Sequence, residues 1–131
     1  MKDHDAAALA AEAKERWGDT DAYKESMRRT QGYGPEKKKV IAAELEDIER
    51  GFAEALAAAA PADGERAMDL AEEARLHIDR WYYPCSHTMH AGLAEMYTAD
   101  ARFRAHYDDR AEGLAEYVSA AVRANAARQE A

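Results

Sequence analysis

The chain is 131 residues long, the length of one domain. It carries 18 Lys and Arg against 26 Asp and Glu, a formal net charge of -8, and its 47% hydrophobic content includes 32 alanines but only 13 Val, Ile and Leu. That balance argues against a grip on a phosphate backbone, against a β-sheet core and, with seven Tyr, two Trp and two Phe as bulky anchors, against wholesale disorder.

In chain order the pattern is helical throughout. Residues Asp5 to Arg16 are rich in Ala, Glu and Lys but poor in large apolar side chains, so this helix needs a packing partner. Gly18 breaks it, and Asp19 or Thr20 caps a short helix to about Thr30. Gly32-Tyr33-Gly34-Pro35 is a turn, with Pro35 as first residue of a helix reaching Ala59. Ile41, Leu45, Ile48, Phe52 and Leu56 form its apolar stripe. Lys37-Lys38-Lys39, flanked by acids, reads as a solvated face. After Pro61, Asp63 and Gly64, a helix from Glu65 to Tyr82 presents Leu70, Ala74, His77, Ile78 and Trp81 on one face. Pro84 interrupts it. A helix from Ser86 to Thr98 turns Met89, Leu93, Met96 and Tyr97 inward. Asp100 caps a short helix with Phe103 and Tyr107. The last, Ala111 to Arg128, carries Leu114, Tyr117, Val118, Ala121 and Val122. No segment alternates with period two. The expected fold is one all-α domain of six to seven helices.

No apolar run approaches the ~20 residues that span a bilayer, and the first residues lack the layout of a secretory signal. The single cysteine rules out an intramolecular disulfide and fits a reducing cytoplasm.

Chemistry concentrates in the window from His77 to His90, which holds the only cysteine, three of five histidines, Trp81, Tyr82 and Tyr83. The Pro84-Cys85-Ser86 break puts Cys85 beside a helix N-terminus, whose free N–H groups and dipole favour a thiolate. A thiol near pKa 8.5 is only about 3% ionised at pH 7, and lowering it by 1.5 units takes about 2 kcal/mol. The helix end supplies about 0.3–1 kcal/mol. A protonated His77, His87 or His90 would supply the rest; the net charge and Asp79 oppose it. The plainer reading is that a lone cysteine is a small buried hydrophobe, that His77 is a core histidine, and that Trp81 and the tyrosines are packing residues. A third reading is a metal- or haem-binding sensor using Cys85, His87 and His90, whose C-x-H-x-x-H spacing matches no common zinc signature. Enzymatic readings fare worse: no phosphate-binding loop, dinucleotide fingerprint or nucleophile elbow is present, and a Cys-His pair here shows no third orienting group, so no enzyme and no cofactor are expected. Trp81, Tyr82, Tyr83, Met89, Tyr97 and Tyr107 are candidate ligand walls, with His77 or His90 near the thiol.

The residues Glu15-Arg16-Trp17-Gly18-Asp19-Thr20-Asp21-Ala22-Tyr23, then Arg28-Arg29-Thr30, resemble the opening of the TipAS antibiotic-recognition domain. His77 to Cys85, Met89-His90, Gly92-Leu93, Glu95-Met96-Tyr97, Asp100, Arg102-Phe103, Gly113-Leu114 and Ala124-Asn125-Ala126 continue the resemblance from about Glu12 to Ala126. It implies a globin-like all-α fold without haem that binds thiopeptide antibiotics such as thiostrepton. It implies covalent capture, Cys85 matching the cysteine that adds to a ligand dehydroalanine. It also implies a mobile N-terminal lid, here residues 1–34, over an ordered core of residues 35–131, with Trp17, Tyr23 and Tyr33 closing over the ligand. In the family this domain is usually the C-terminal half of a MerR-type transcription activator. No helix-turn-helix precedes it in these residues, so any DNA-binding half is supplied by sequence outside this chain. Members often carry a Trp shortly after the Tyr33-like position, where Glu36-Lys37-Lys38-Lys39 stands here. The expected partner is a peptide antibiotic, with no direct nucleic acid and no membrane, bound by a monomer.

Overall fold

The computed structural model describes residues 20–130. Among them are six helices and no strand: α1 Asp21–Gln31, α2 Pro35–Ala57, α3 Glu65–Trp81, α4 His87–Ala99, α5 Ala101–Asp108 and α6 Leu114–Glu130. The all-α expectation holds. The expected helix over Asp5 to Arg16, and Trp17 with it, lie outside the described residues.

The helix starts follow from short polar side chains. The Thr20 hydroxyl accepts the Tyr23 N–H at 3.2 Å, Ser86 accepts the Met89 N–H at 3.0 Å, and Asp100 accepts the Arg102 N–H at 2.9 Å. Each satisfies an N–H that has no partner inside its own helix. Two boundaries differ from the sequence pattern for backbone reasons. α2 stops at Ala57 because Ala59 takes a left-handed φ of 58°, from which the Ala60 N–H reaches back to the Ala55 carbonyl at 3.0 Å. α6 starts at Leu114, not Ala111, because Gly113 sits at φ +83° and Asp108 accepts the Ala115 N–H at 3.0 Å.

α6 is the centre of the core and packs against α4, α3, α5 and α2. Phe52, Leu114, Val118 and Val122 fill the space, while Ala55, Ala67, Ala71, Ala94 and Ala121 are fully buried where helices approach. Small residues at the contacts let ridges seat deeply, which is how 13 aliphatics suffice. Gly51 serves the same end, since a Cβ there would lie 2.8 Å from Leu70 Cδ2. The buried Ser119 hydroxyl donates to the Ala94 carbonyl at 2.8 Å, and the Tyr117 hydroxyl to the Ala60 carbonyl at 2.8 Å. Leu45 departs from its stripe: it is 39% exposed and borders a groove instead. No described helix is long and apolar enough to cross a membrane.

Candidate functional site

The site is built on the end of α3. A helix leaves its last carbonyls without internal partners. Here Ile78 is served by the N–H groups of Tyr82 and Tyr83, at 2.9 and 3.2 Å. The next three are served from α1 and the turn after it. Arg29 Nη1 donates to the carbonyls of Asp79 at 2.8 Å and Arg80 at 3.4 Å, and the Tyr33 hydroxyl donates to that of Trp81 at 2.6 Å. Glu25 accepts from Arg29 Nε at 2.6 Å and forms a fork with Arg28. Those hydrogen bonds hold the Glu25 carboxyl down at about 2.

α1 therefore lies across the break between α3 and α4, with a groove on either side. One, of about 420 Å³, is lined by Ala22, Tyr23 and Ser26 from α1 and by Tyr83, Met89 and Leu93 opposite. The other, of about 310 Å³, is lined by Thr30, Tyr33, Ile41, Leu45 and Tyr82. Consecutive Tyr82 and Tyr83 thus serve different grooves. Beside the first groove, Asp21, Lys24, Glu25 and Arg28 form a charged rim with Pro84 and Met89.

The candidate residues divide accordingly. Tyr23, Tyr83 and Met89 come together in the first groove, and Met89, 38% exposed, lies on the surface rather than in the core. Tyr33 and Tyr82 border the second, where Tyr33 meets the Trp81 ring edge-on at 5.8 Å and 88°. The Trp81 indole N–H donates to Glu44 at 2.7 Å. His77 is buried and donates to the Ile41 carbonyl at 3.0 Å, which ties α3 to α2 as the core reading anticipates. Tyr97 and Tyr107, rings 5.2 Å apart, pack against the core and line neither groove; burial pushes both hydroxyls well up. Burial pushes Tyr83 up to about 12. His90 is 1% exposed and its Nδ1 has no hydrogen-bond partner among the described residues. Burial, then the Arg75 charge, pushes it down to about 4, so at neutral pH it carries no proton charge to lend.

Of the two readings of Cys85, the structure favours the buried one. The thiol is 1% exposed and pushed up to about 11, by burial first and then by Asp79 and Glu72 against the pull of Arg75. Its Sγ donates weakly to the Ser86 carbonyl at 3.8 Å. Four units above neutral leaves about one thiol in ten thousand ionised. The helix dipole does not prevail because desolvation of a buried anion is the larger effect. The residue is fixed at both ends: Asp79 accepts its N–H at 2.8 Å and Arg75 donates to its carbonyl at 2.7 Å.

The metal reading is not favoured. His87 Nε2 donates to Glu72 at 2.8 Å, and no group of three His, Cys, Asp or Glu among the described residues stands close enough to hold an ion. Cys85, His87 and His90 share a stretch of sequence, not a point in space.

Sequence reading missed Glu72, Arg75 and Arg29. Glu72 joins Arg75 at 2.6 Å, His87 at 2.8 Å and Asn125 at 3.0 Å, and is held down at about 2, chiefly by Arg75. The i,i+3 spacing of Glu72 and Arg75 was the only visible signal. Arg29 reaches 50 positions along the chain, and nothing local marks that.

Fold and site together define a helical domain with apolar, tyrosine-flanked grooves, a geometry suited to a ring-bearing ligand. A family model described as the TipAS antibiotic-recognition domain matches residues 9–125. The chain belongs to that family. It is 42% identical over 126 residues to the HTH-type transcriptional activator TipA of Streptomyces coelicolor and, equally, of Streptomyces lividans, covering 96% of this chain and 50% of theirs. The HTH-type transcriptional activator mta of Bacillus subtilis is 32% identical over 98 residues, 75% of this chain and 37% of that one. The chain thus spans about half the length, or less, of the curated relatives it matches. Among solved structures, nosiheptide in complex with TipAS, from a thiopeptide antibiotic multidrug resistance system of Streptomyces lividans, superposes with a TM-score of 0.87 at 41% identity over 95% of this chain and 87% of that one. The antibiotic binding domain of a TipA-class multidrug resistance transcriptional regulator matches at 0.64 and 42% identity over 70% and 97%.

Proposed function

We propose that this domain binds bulky, largely apolar peptide antibiotics of the thiopeptide class and so serves drug sensing or sequestration. The observation that carries the reading is the groove of about 420 Å³ between Tyr23 and Tyr83, beside the break that holds Cys85, in a chain of this family. Tyrosines give ring faces for heterocycles, and Met89 and Leu93 give adaptable apolar contact. Residues 1–34, of which α1 and Tyr33 are described, act as the lid over the bound drug. The domain is a cytoplasmic, monomeric binding module that turns nothing over and touches no nucleic acid itself.

Covalent capture follows reversible binding. The Cys85 thiol adds across the dehydroalanine double bond. Sulfur bonds to the β-carbon, the π pair moves to the α-carbon, and the thiol proton is delivered there, so no group leaves and no oxidant is consumed. Cys85 must first leave its buried, protonated state.

Calorimetric titration with nosiheptide tests the first clause. Saturable one-to-one binding, weakened about tenfold or more in Tyr83→Ala, is expected. No heat and no rise in melting temperature at excess ligand overturns it. Intact-mass measurement tests the second: an adduct of summed mass on the wild type, absent in Cys85→Ala while reversible binding persists. Binding without any adduct removes the covalent clause alone.

A further inference from the structure

The groove between Tyr33 and Tyr82 is set apart by its charge. Ile41, Ala42 and Leu45 give it a hydrocarbon floor, and Lys38 is the single charged side chain in its lining. Its neighbours differ. The groove between Tyr23 and Tyr83 has no charged lining, and its rim mixes Asp21 and Glu25 with Lys24 and Arg28. A third groove, of about 360 Å³ between α2 and α3, sets Glu44, Asp47 and Glu73 against Arg80. In a chain of net charge -8, an apolar groove whose only charge is positive stands out. No carboxylate among the described residues pairs with Lys38. The Lys37 amine adds a second cation beside the Tyr33 wall, 5.8 Å from the centre of that ring and 5.9 Å from that of Trp81.

We propose that this groove is a second binding site, separate from the one on the other side of α1, and that it takes a small apolar carboxylic acid. The ring or chain of the acid lies between Tyr33 and Tyr82 on Ile41 and Leu45, and its carboxylate accepts from the Lys38 ammonium. The site does not depend on the thiopeptide reading. Its volume of about 310 Å³ is at the small end for ligand pockets, which suits one fused ring system. Its walls are held in place. Tyr33 is fixed by its hydroxyl on the Trp81 carbonyl and by the edge of the Trp81 ring, and Tyr82 lies 6.2 Å from the ring of the buried His77. Little side-chain freedom is then lost when a ligand enters. The exposure of Leu45 has a use here, since the ligand covers it.

The test titrates the whole ¹⁵N-labelled chain with two probes, 1-naphthaleneacetate and its neutral isostere 1-naphthaleneacetamide, and follows amide shifts by NMR. No antibiotic is present. Saturable shifts should centre on Lys38, Ile41, Ala42, Leu45 and Tyr82. The acid should bind about three- to fivefold tighter than the amide, the worth of one exposed ion pair. Lys38→Glu should reverse that order, leaving the amide the tighter ligand. Lys39→Glu makes the same change in net charge one residue along, outside the lining, and should keep the preference for the acid. Raising the salt from about 50 mM to about 500 mM should remove most of the preference and leave amide binding as it was. Ala42→Phe, at an exposed position, puts a ring into the groove and should abolish binding of both probes at an unchanged melting temperature. Equal affinity for acid and amide overturns the proposal. So do shifts centred on Tyr23 and Tyr83, or no saturable shift with either probe. A loss of preference in Lys39→Glu equal to that in Lys38→Glu also overturns it, since overall charge would then be the cause.

Discussion

α1 and α6 are both amphipathic helices of this domain, yet they are held by opposite means. α6 buries Leu114, Ala115, Tyr117, Val118, Ala121 and Val122 among its neighbours, and its two buried polar side chains, Ser119 and Asn125, have partners inside the fold. α1 buries nothing and is attached through Arg29 and the adjoining Tyr33 to another helix's end. Burial of an apolar side chain has no substitute outside the core. A hydrogen bond to a helix carbonyl can be replaced by water, at a net cost near 0.5–1.5 kcal/mol, or about 1.5–3 kcal/mol when charged. The difference separates a buried scaffold from a helix held at its surface.

The largest effect should come from attacking the fixed side. Leu114 is 0% exposed, and Leu114→Ala should cost about 2–5 kcal/mol, read as a lowered urea midpoint at unchanged slope. Met27, on α1 and 42% exposed, should cost no more than about 0.5 kcal/mol when changed to Ala. Equal losses at the two sites would erase the distinction between the helices.

The second test uses acid. His90 is neutral in the fold at about 4, below its ordinary 6.5, so the unfolded chain binds its proton first. Its contribution is therefore present above pH 6.5 and is lost as pH falls toward 4. The change is about 3 kcal/mol, the fall from 6.5 to about 4 at about 1.4 kcal/mol per unit. His90→Leu should flatten the stability curve across that window and leave a lower acid limb. Glu72 supplies part of that limb, since a carboxyl held near 2 loses its contribution as pH falls from about 4.5.

How much of this was legible depends on the reach of the signal. Helix starts were legible from Thr20, Ser86, Asp100 and Pro35, because a cap acts within three residues. The family was legible from a motif spread along the chain. The alanine core was not: Ala55, Ala67, Ala71 and Ala94 are fully buried, while Ala42 and Ala43 on the same kind of helix are exposed, and alanine suits both places. Glu49 carries no local signal of burial, yet it is 7% exposed and paired with His106, 57 residues away. Between the thiolate and the buried-hydrophobe readings of Cys85, the sequence could not decide. The helix end is local and visible, whereas the burial that outweighs it comes from the whole fold.

The smallest expected effect concerns the end of α2, where the scaffold carries avoidable strain. Ala59 holds a left-handed φ of 58° so that the Ala60 N–H can return to the Ala55 carbonyl. That position after a helix is ordinarily glycine, since a Cβ there costs roughly 1 kcal/mol. Ala59→Gly removes the clash but also loosens the unfolded chain, which offsets part of the gain. The net should be a stabilisation of about 0.5 kcal/mol, a rise of roughly 2 °C in melting temperature. Nosiheptide affinity should stay as it is, because this turn touches neither groove. A change in affinity here would mean that the grooves respond to the stability of the scaffold in general, and the contrast between the buried scaffold and the surface-held α1 would carry no functional meaning.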